Sequence, residues 1–142
     1  MTILRRIGAV IAGLIAAFAL VAGAEGIAHK IYPPPPGTNM QDMTQVKAFV
    51  ATLPLSVMLI VLTGWLIATF VATWLAARIA GTPIPGYIVG ALLLCAGIAN
   101  AVMLPQPVWF SIASIVIYIG ATWVGARAGA GPRVAVLKTT VV

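Results

Sequence analysis

The chain has 142 residues, of which 62% are hydrophobic and only 7% are charged, and its mean hydropathy is +1.12. Soluble domains carry about 25% charged residues, so this composition excludes an ordinary soluble domain and indicates a protein that lies in a lipid bilayer. The formal net charge is +6, but the Lys and Arg residues form no basic face, which argues against a nucleic-acid partner.

Four uncharged apolar segments follow one another along the chain, at about residues 7–28, 54–77, 86–104 and 108–126. Each must form a helix in lipid, because only internal hydrogen bonds can satisfy its backbone there. We predict an all-α integral membrane protein, a single domain over residues 1–142 whose four transmembrane helices form two hairpins. An outer loop at 30–53 and a cytoplasmic tail at 127–142 complete this prediction.

The first apolar segment has a second interpretation. The letters MTILRR, the apolar run and AGA before Glu25 together resemble a secretory signal peptide with its cleavage site. Cleavage would leave three spans that begin at Glu25. The segment is retained from Met1 in this chain, so we expect it to be the first transmembrane helix.

The basic residues predict the orientation of the four spans. Two of them, Lys30 and Lys47, fall on one side of such a bundle. The other six fall on the opposite side: Arg5, Arg6, Arg78, Arg127, Arg133 and Lys138. The positive-inside rule therefore predicts that the N-terminus and the C-terminus are both cytoplasmic.

The outer loop carries readable local signals. The prolines at 33–36 impose a stiff polyproline II segment, and Gly37 allows a turn after it. Asp42 followed by Gln45 is a helix-capping pattern. Apolar residues then recur at helical spacing up to Leu53, which predicts a short amphipathic helix in the loop between the first two spans.

Glu25 and His29 form the most distinctive polar pair of the sequence. Glu25 is one of two acidic residues, His29 is the only histidine, and their i,i+4 spacing places both on one helix face. Glu25 lies about 28 Å along the helix from Arg6, near the outer limit of the hydrocarbon. Three roles fit: a structural clasp between carboxylate and imidazole, a proton-coupling or substrate site, or a metal or cofactor site. The chain offers too few ligands for a metal within one monomer, so we predict no metal and no cofactor.

Further polar residues lie inside the predicted spans. Ser111, Ser114, Tyr118 and Thr122 share one face of the fourth span, and Asn100 lies near the outer end of the third. We predict Asn100 and Tyr118 as additional members of the coupling or substrate site, with Ser111, Ser114 and Thr122 as candidate pathway lining. The alternative is that these hydroxyls only bond helix to helix or to their own backbone.

Two short segments repeat. ATWLAARIAG at 72–81 and ATWVGARAGA at 121–130 each place Trp and Arg four residues apart at the inner end of a span. This similarity suggests two hairpins related by an axis along the membrane normal, but an interfacial Trp and a snorkelling Arg recur at many inner helix ends. Small residues at i,i+4, such as Gly86 with Gly90 and Gly125 with Gly129, predict close helix contacts within one chain or between chains. So thin a bundle favours a homo-oligomer.

The combination of E-x-x-x-H-x-x-YPPPPG, a short helix ending in LP, W-x8-W-x-x-x-R, and P-x-P-x-WF resembles an uncharacterised family of small bacterial four-span membrane proteins. The resemblance covers nearly the whole chain and implies location in the bacterial inner membrane, but no activity. A weaker likeness is to small multidrug transporters, which have a Glu in the first of four spans. In those proteins the Glu lies near mid-membrane and the dimer is antiparallel, whereas Glu25 lies near the outer edge and the charge bias fixes one orientation.

Two classes of function follow. In the first, a homo-oligomer moves a small solute or ion, with Glu25 and His29 at the outer face. In the second, the protein is a non-catalytic accessory or assembly subunit of a larger membrane complex. We do not expect an enzyme, because the sequence contains no recognisable nucleophile, acid pair or metal constellation.

Overall fold

The computed structural model describes residues 2–132, so Arg133 and Lys138 lie outside the described residues. This part of the chain forms five helices: α1 (Ile3–Ile31), α2 (Met43–Val50), α3 (Leu55–Ala80), α4 (Ile84–Met103) and α5 (Val108–Ala130). Four of them, α1, α3, α4 and α5, are long and apolar enough to cross a membrane. The prediction of an all-α membrane protein with four apolar helices is confirmed at this level.

Proline and glycine determine where the long helices begin and end. Pro54, Pro83 and Pro107 immediately precede α3, α4 and α5. Proline suits a helix start, since the first amides of a helix have no acceptor within the helix. Gly81 ends α3 with a left-handed φ of 71°, which a residue without a Cβ atom adopts at little cost.

Helix α3 is central, because it packs against α1, α4 and α5. The Arg5 side chain donates a hydrogen bond of 2.6 Å from Nε to the Ile79 carbonyl, so α1 begins where α3 ends. Gly125 and Gly129 of α5 lie against residues 70–77 of α3, at the same end. We call this the arginine end, after Arg5, Arg78 and Arg127, and we call the opposite end, which carries α2, the loop end.

The half of the bundle near the arginine end is tightly packed through small residues. A Cβ atom built on Gly13 would lie 2.9 Å from the Ala72 carbonyl oxygen, and one built on Gly86 would lie 2.7 Å from the Thr73 carbonyl oxygen. Backbones at this separation have no room for larger side chains. Such contact stabilises a bundle in lipid, where the hydrophobic effect does not drive helices together.

The half near the loop end is packed unevenly. Beyond Ala17 the only buried residue of α1 is Ala28, and the buried residues of α4 end at Leu93. Helices α3 and α5 stay in contact here through the rings of Trp65 and Phe110, whose centroids are 5.6 Å apart. The loop ends of α1 and α4 therefore border an opening, and this opening holds the candidate site.

Candidate functional site

A cavity of about 290 Å³ lies at the loop end. Its walls come from α1, α2 and α3, from the connection between α4 and α5, and from the loop-end turns of those two helices. Most of the lining side chains are apolar. Glu25, His29, Asn100 and Gln106 are the lining residues with charged, imidazole or amide groups, and Tyr32 adds a phenol.

Helix α1 presents Glu25 and His29 on one face, as their spacing predicts, and both side chains are exposed. The His29 Nδ1 atom lies 3.0 Å from the Glu25 backbone carbonyl oxygen. A carbonyl only accepts hydrogen bonds, so Nδ1 carries the hydrogen and the neutral ring has an unprotonated Nε2.

This geometry differs from the clasp that the spacing suggested. The imidazole bonds to the backbone of Glu25 and not to its carboxylate. The carbonyl one helical turn back lies within reach of a ring nitrogen close to the main chain, whereas the Glu side chain extends further from the helix. Within residues 2–132 the Glu25 carboxylate therefore accepts no hydrogen bond from His29, which leaves it able to accept one from a ligand.

Helix α2 covers one side of the cavity. Its first turn is capped as predicted, because the Asp42 carboxylate accepts a hydrogen bond of 3.0 Å from the Thr44 amide. Gln45 reinforces this end by accepting a hydrogen bond of 2.7 Å from the Asn39 amide. The loop before α2 is thus tied to its first turn, which fixes where the helix begins.

An aromatic cluster holds α2 against the end of α1. The buried Phe49 ring stacks on Tyr32 with centroids 5.9 Å apart, and it lies 6.2 Å from the His29 ring. All three rings line the cavity. Phe49 therefore brings α2 next to the polar pair of α1.

The wall formed by α3 and α5 is also aromatic. Trp65 packs edge-on against Phe110 and stacks on Tyr118, with a centroid distance of 6.0 Å to the latter. Trp65 is 6% exposed, and its indole nitrogen is buried with no hydrogen-bond partner among residues 2–132. Trp65 and Phe110 line the cavity, whereas Tyr118 lies behind Trp65.

The predicted site residues divide into two groups. Glu25, His29 and Asn100 are brought together by the cavity, although they come from α1 and α4. The four predicted residues of α5 do not line it: Ser111, Ser114, Tyr118 and Thr122.

The hydroxyls of α5 make local contacts. Ser114 Oγ donates a hydrogen bond of 2.8 Å to the Ser111 carbonyl, as in the alternative that the sequence left open. Thr122 packs against Gly90, and its hydroxyl has no partner within the described residues. A pathway along this face stays a prediction.

Sequence reasoning missed the aromatic lining. Tyr32, Phe49, Trp65 and Phe110 belong to four different segments, and nothing in their spacing indicates that they meet. Gln106 was missed too, in the short link between α4 and α5. The only available signal was the number of aromatic residues near predicted outer helix ends, which an aromatic belt explains equally well.

The described residues contain no cluster of three or more His, Cys, Asp or Glu side chains that could hold a metal ion. Comparison of the chain with protein-family models, with curated proteins and with solved structures gave no match. A carboxylate and an imidazole at the wall of an apolar cavity can form hydrogen bonds with a ligand and attract a cation.

Proposed function

We propose that this protein moves a small solute across the bacterial inner membrane and binds it in the loop-end cavity. The observation that carries the proposal is the contrast between the two halves of the bundle. Gly and Ala contacts join the helices of the arginine half, where a second pocket lies at the helix ends beside Tyr87 and Arg127, whereas the loop half holds a cavity lined by Glu25 and His29. A transporter that is open on one side has this arrangement.

The proposal includes an orientation. The described arginines at the arginine end, together with Lys30 and Lys47 near the loop end, favour a cytoplasmic arginine end under the positive-inside rule. We place both termini in the cytoplasm. Helices α1 and α3 then form one hairpin, α4 and α5 form the other, and α2 is an amphipathic helix at the outer surface. The bacterial inner membrane follows from the resemblance to small bacterial four-span proteins.

Transport requires the two halves to open in turn. In the second conformation the arginine half would separate while the loop half closes over the solute. We propose that Glu25 binds the solute or a proton, with His29 and Asn100 beside it. The Glu25 carboxylate suits this role, because the His29 ring bonds to the backbone carbonyl of Glu25 and not to its carboxylate. We also propose a homo-oligomer, since four thin helices bury little surface.

Cysteine accessibility tests the alternation without knowledge of the solute. In a Cys95→Ser background, Met40→Cys reports on the cavity, which Met40 lines while it is 41% exposed, and Ala76→Cys reports on the arginine half, where Ala76 is 0% exposed. A charged thiol reagent should modify Met40→Cys from outside and, more slowly, Ala76→Cys from the cytoplasmic side. Glu25→Gln should change the ratio of these two rates, because it replaces a chargeable group by a neutral one.

A static protein gives the opposite result. If Ala76→Cys never reacts in right-side-out or inverted vesicles, the arginine half does not open and transport by alternation is wrong. Native mass spectrometry from membranes then tests the accessory role. A complex with a different membrane protein, at fixed stoichiometry, would favour an assembly subunit.

A further inference from the structure

We propose that the second pocket, at the arginine end, binds the phosphate headgroup of an anionic phospholipid through Arg127 and Tyr87. This pocket lies at the opposite end of the bundle from the cavity around Glu25. A lipid site there goes beyond the proposed transport and does not depend on it.

The pocket has a volume of about 720 Å³ and lies where α3 ends, α4 begins and α5 ends. Arg127 is the charged side chain among the described residues that line it, and Thr82 and Tyr87 supply hydroxyl groups. The other lining residues are glycine, alanine and proline: Gly81, Pro83, Ala130, Gly131 and Pro132. An arginine and two hydroxyls thus lie among small residues, which leave room for a headgroup.

The charge at this end of the bundle selects an anion. The chain has two acidic residues, Glu25 and Asp42, and both belong to the loop end. Arg127 therefore has no carboxylate side chain near it, and it is exposed. A guanidinium presents a planar fork of N–H donors that fits two oxygens of a phosphate. The phenol of Tyr87 can donate a further hydrogen bond to the same group.

The start of α4 adds few donors of its own. Pro83 and Pro85 carry no N–H, so this helix lacks two of the backbone amides that bind anions at other helix starts. Recognition of a phosphate in the pocket therefore depends on Arg127, and substitution of this residue tests the site directly.

The two copies of the repeated segment differ at this pocket. Trp123 and Arg127 of α5 correspond to Trp74 and Arg78 of α3. The Arg127 guanidinium lies over the Trp123 ring, 4.3 Å from its centroid, and Arg127 lines the pocket. Arg78 is also exposed, but it does not line the pocket. The contact with Trp123 holds Arg127 beside the pocket, so the second copy of the repeat supplies the cation.

The position of the pocket favours a lipid over free phosphate. Trp74 and Trp123 are exposed at the same end of the bundle, where tryptophan side chains mark the membrane interface. Ile84 and Ile88 expose apolar side chains on the first turns of α4. A phosphate held by Arg127 thus has apolar surface near it for acyl chains. Basic pockets at the cytoplasmic side of helical bundles bind anionic headgroups in this way.

The lining also distinguishes anionic from zwitterionic lipids. Phosphatidylethanolamine carries an ammonium beside its phosphate, and no acidic residue lines the pocket to bind that ammonium. Phosphatidylglycerol carries the same phosphodiester with neutral hydroxyls instead. A single arginine balances its single negative charge. The pocket should therefore prefer phosphatidylglycerol.

Retention of radiolabelled lipid by the immobilised full chain in detergent micelles tests this preference. The probes are dioleoyl phosphatidylglycerol and dioleoyl phosphatidylethanolamine, which share their acyl chains and differ in headgroup charge, and resin without protein is the reference. We expect phosphatidylglycerol to bind about fivefold more tightly, which is the effect of about one cation near a membrane surface. Equal affinity for the two lipids would overturn the inference.

Variants assign the phosphate contact. Arg127→Gln should reduce the affinity for phosphatidylglycerol about fivefold, and Tyr87→Phe should reduce it about threefold through loss of the hydroxyl. Arg78→Gln is the matched control, because it removes the same charge from the other copy of the repeat, outside the pocket. It should leave the affinity nearly unchanged. Arg127 is exposed, so its substitution should also leave the thermal midpoint of the protein unchanged.

Equal losses of affinity in Arg127→Gln and Arg78→Gln would overturn the site. Both arginines would then act only as cations in the last turn of a helix, where positive charge is favourable. Sodium phosphate and sodium chloride at equal ionic strength separate the lipid from free phosphate. We expect the two salts to displace phosphatidylglycerol equally, and stronger displacement by phosphate would overturn the assignment to a lipid. These measurements do not involve the cysteine variants, so failure of transport and failure of the headgroup site are distinguishable.

Discussion

At the scale of single residues, the absence of a side chain sets how closely the helices approach. A Cβ atom built on Gly125 would lie 2.7 Å from the Phe70 carbonyl oxygen, whereas one built on Gly120 of the same helix meets nothing within 4 Å. The two glycines therefore have different roles although both lie in α5. One allows backbone contact with α3, and the other faces outward.

This difference predicts opposite effects of one substitution. Gly125→Ala should lower the free energy of unfolding by about 2 kcal/mol, because a packed interface with no room must shift to accept a methyl group. Gly120→Ala should be neutral or slightly stabilising, because alanine favours the helix. Titration with sodium dodecyl sulfate in mixed micelles, followed by circular dichroism, measures both. Equal loss of stability in the two variants would contradict the assignment.

At the scale of elements, the stability of the short helix α2 depends on its N-terminal cap and on one buried contact. It has eight residues, and a helix this short is marginal without tertiary contacts. Asp42 satisfies the Thr44 amide, and Phe49 supplies the buried contact to α1. The sequence pattern around Asp42 predicted this cap, because capping is a local interaction.

Asp42→Ala should therefore fray α2 without unfolding the bundle. Loss of a cap costs about 1 kcal/mol, so the amides of the first turn, at Met43–Gln45, should exchange hydrogen about fivefold faster. Asp42→Asn is the control, since its carbonyl oxygen still accepts the hydrogen bond. Hydrogen–deuterium exchange with mass spectrometry measures the peptide that spans α2. Unchanged exchange in Asp42→Ala would show that the cap contributes nothing.

At the scale of the whole molecule, the distribution of charge predicts which end faces the cytoplasm. The described arginines lie at one end, and the loop with α2 lies at the other. In a Cys95→Ser background, Gln41→Cys in the loop should react with an impermeant maleimide in intact cells. Thr82→Cys, in the link between α3 and α4, should react only after permeabilisation. The reverse pattern would place the arginine end outside and refute the orientation.

The sequence indicated four apolar helices, the cap at Asp42 and the pairing of Glu25 with His29 on one face, because each depends on interactions within about two helical turns. The role of Gly125 was only suggested by its spacing to Gly129, since the same spacing fits contacts within or between chains. Which polar residues would meet across helices was predicted in part. Asn100 does line the cavity with Glu25, whereas Tyr118 lies behind Trp65.

The sequence by itself determined that this protein lies in lipid and that its apolar segments form long helices. Its hydropathy requires lipid, and in lipid the backbone must satisfy its own hydrogen bonds. Only the tertiary structure decided that small residues pack the helices of the arginine half closely and that the loop half contains the cavity lined by Glu25 and His29. Such an opening depends on the angle between helices and on which face each one presents. Neither is encoded in a local pattern, so the meeting of Tyr32, Phe49, Trp65 and Phe110 around Glu25 and His29 could not be predicted from spacing.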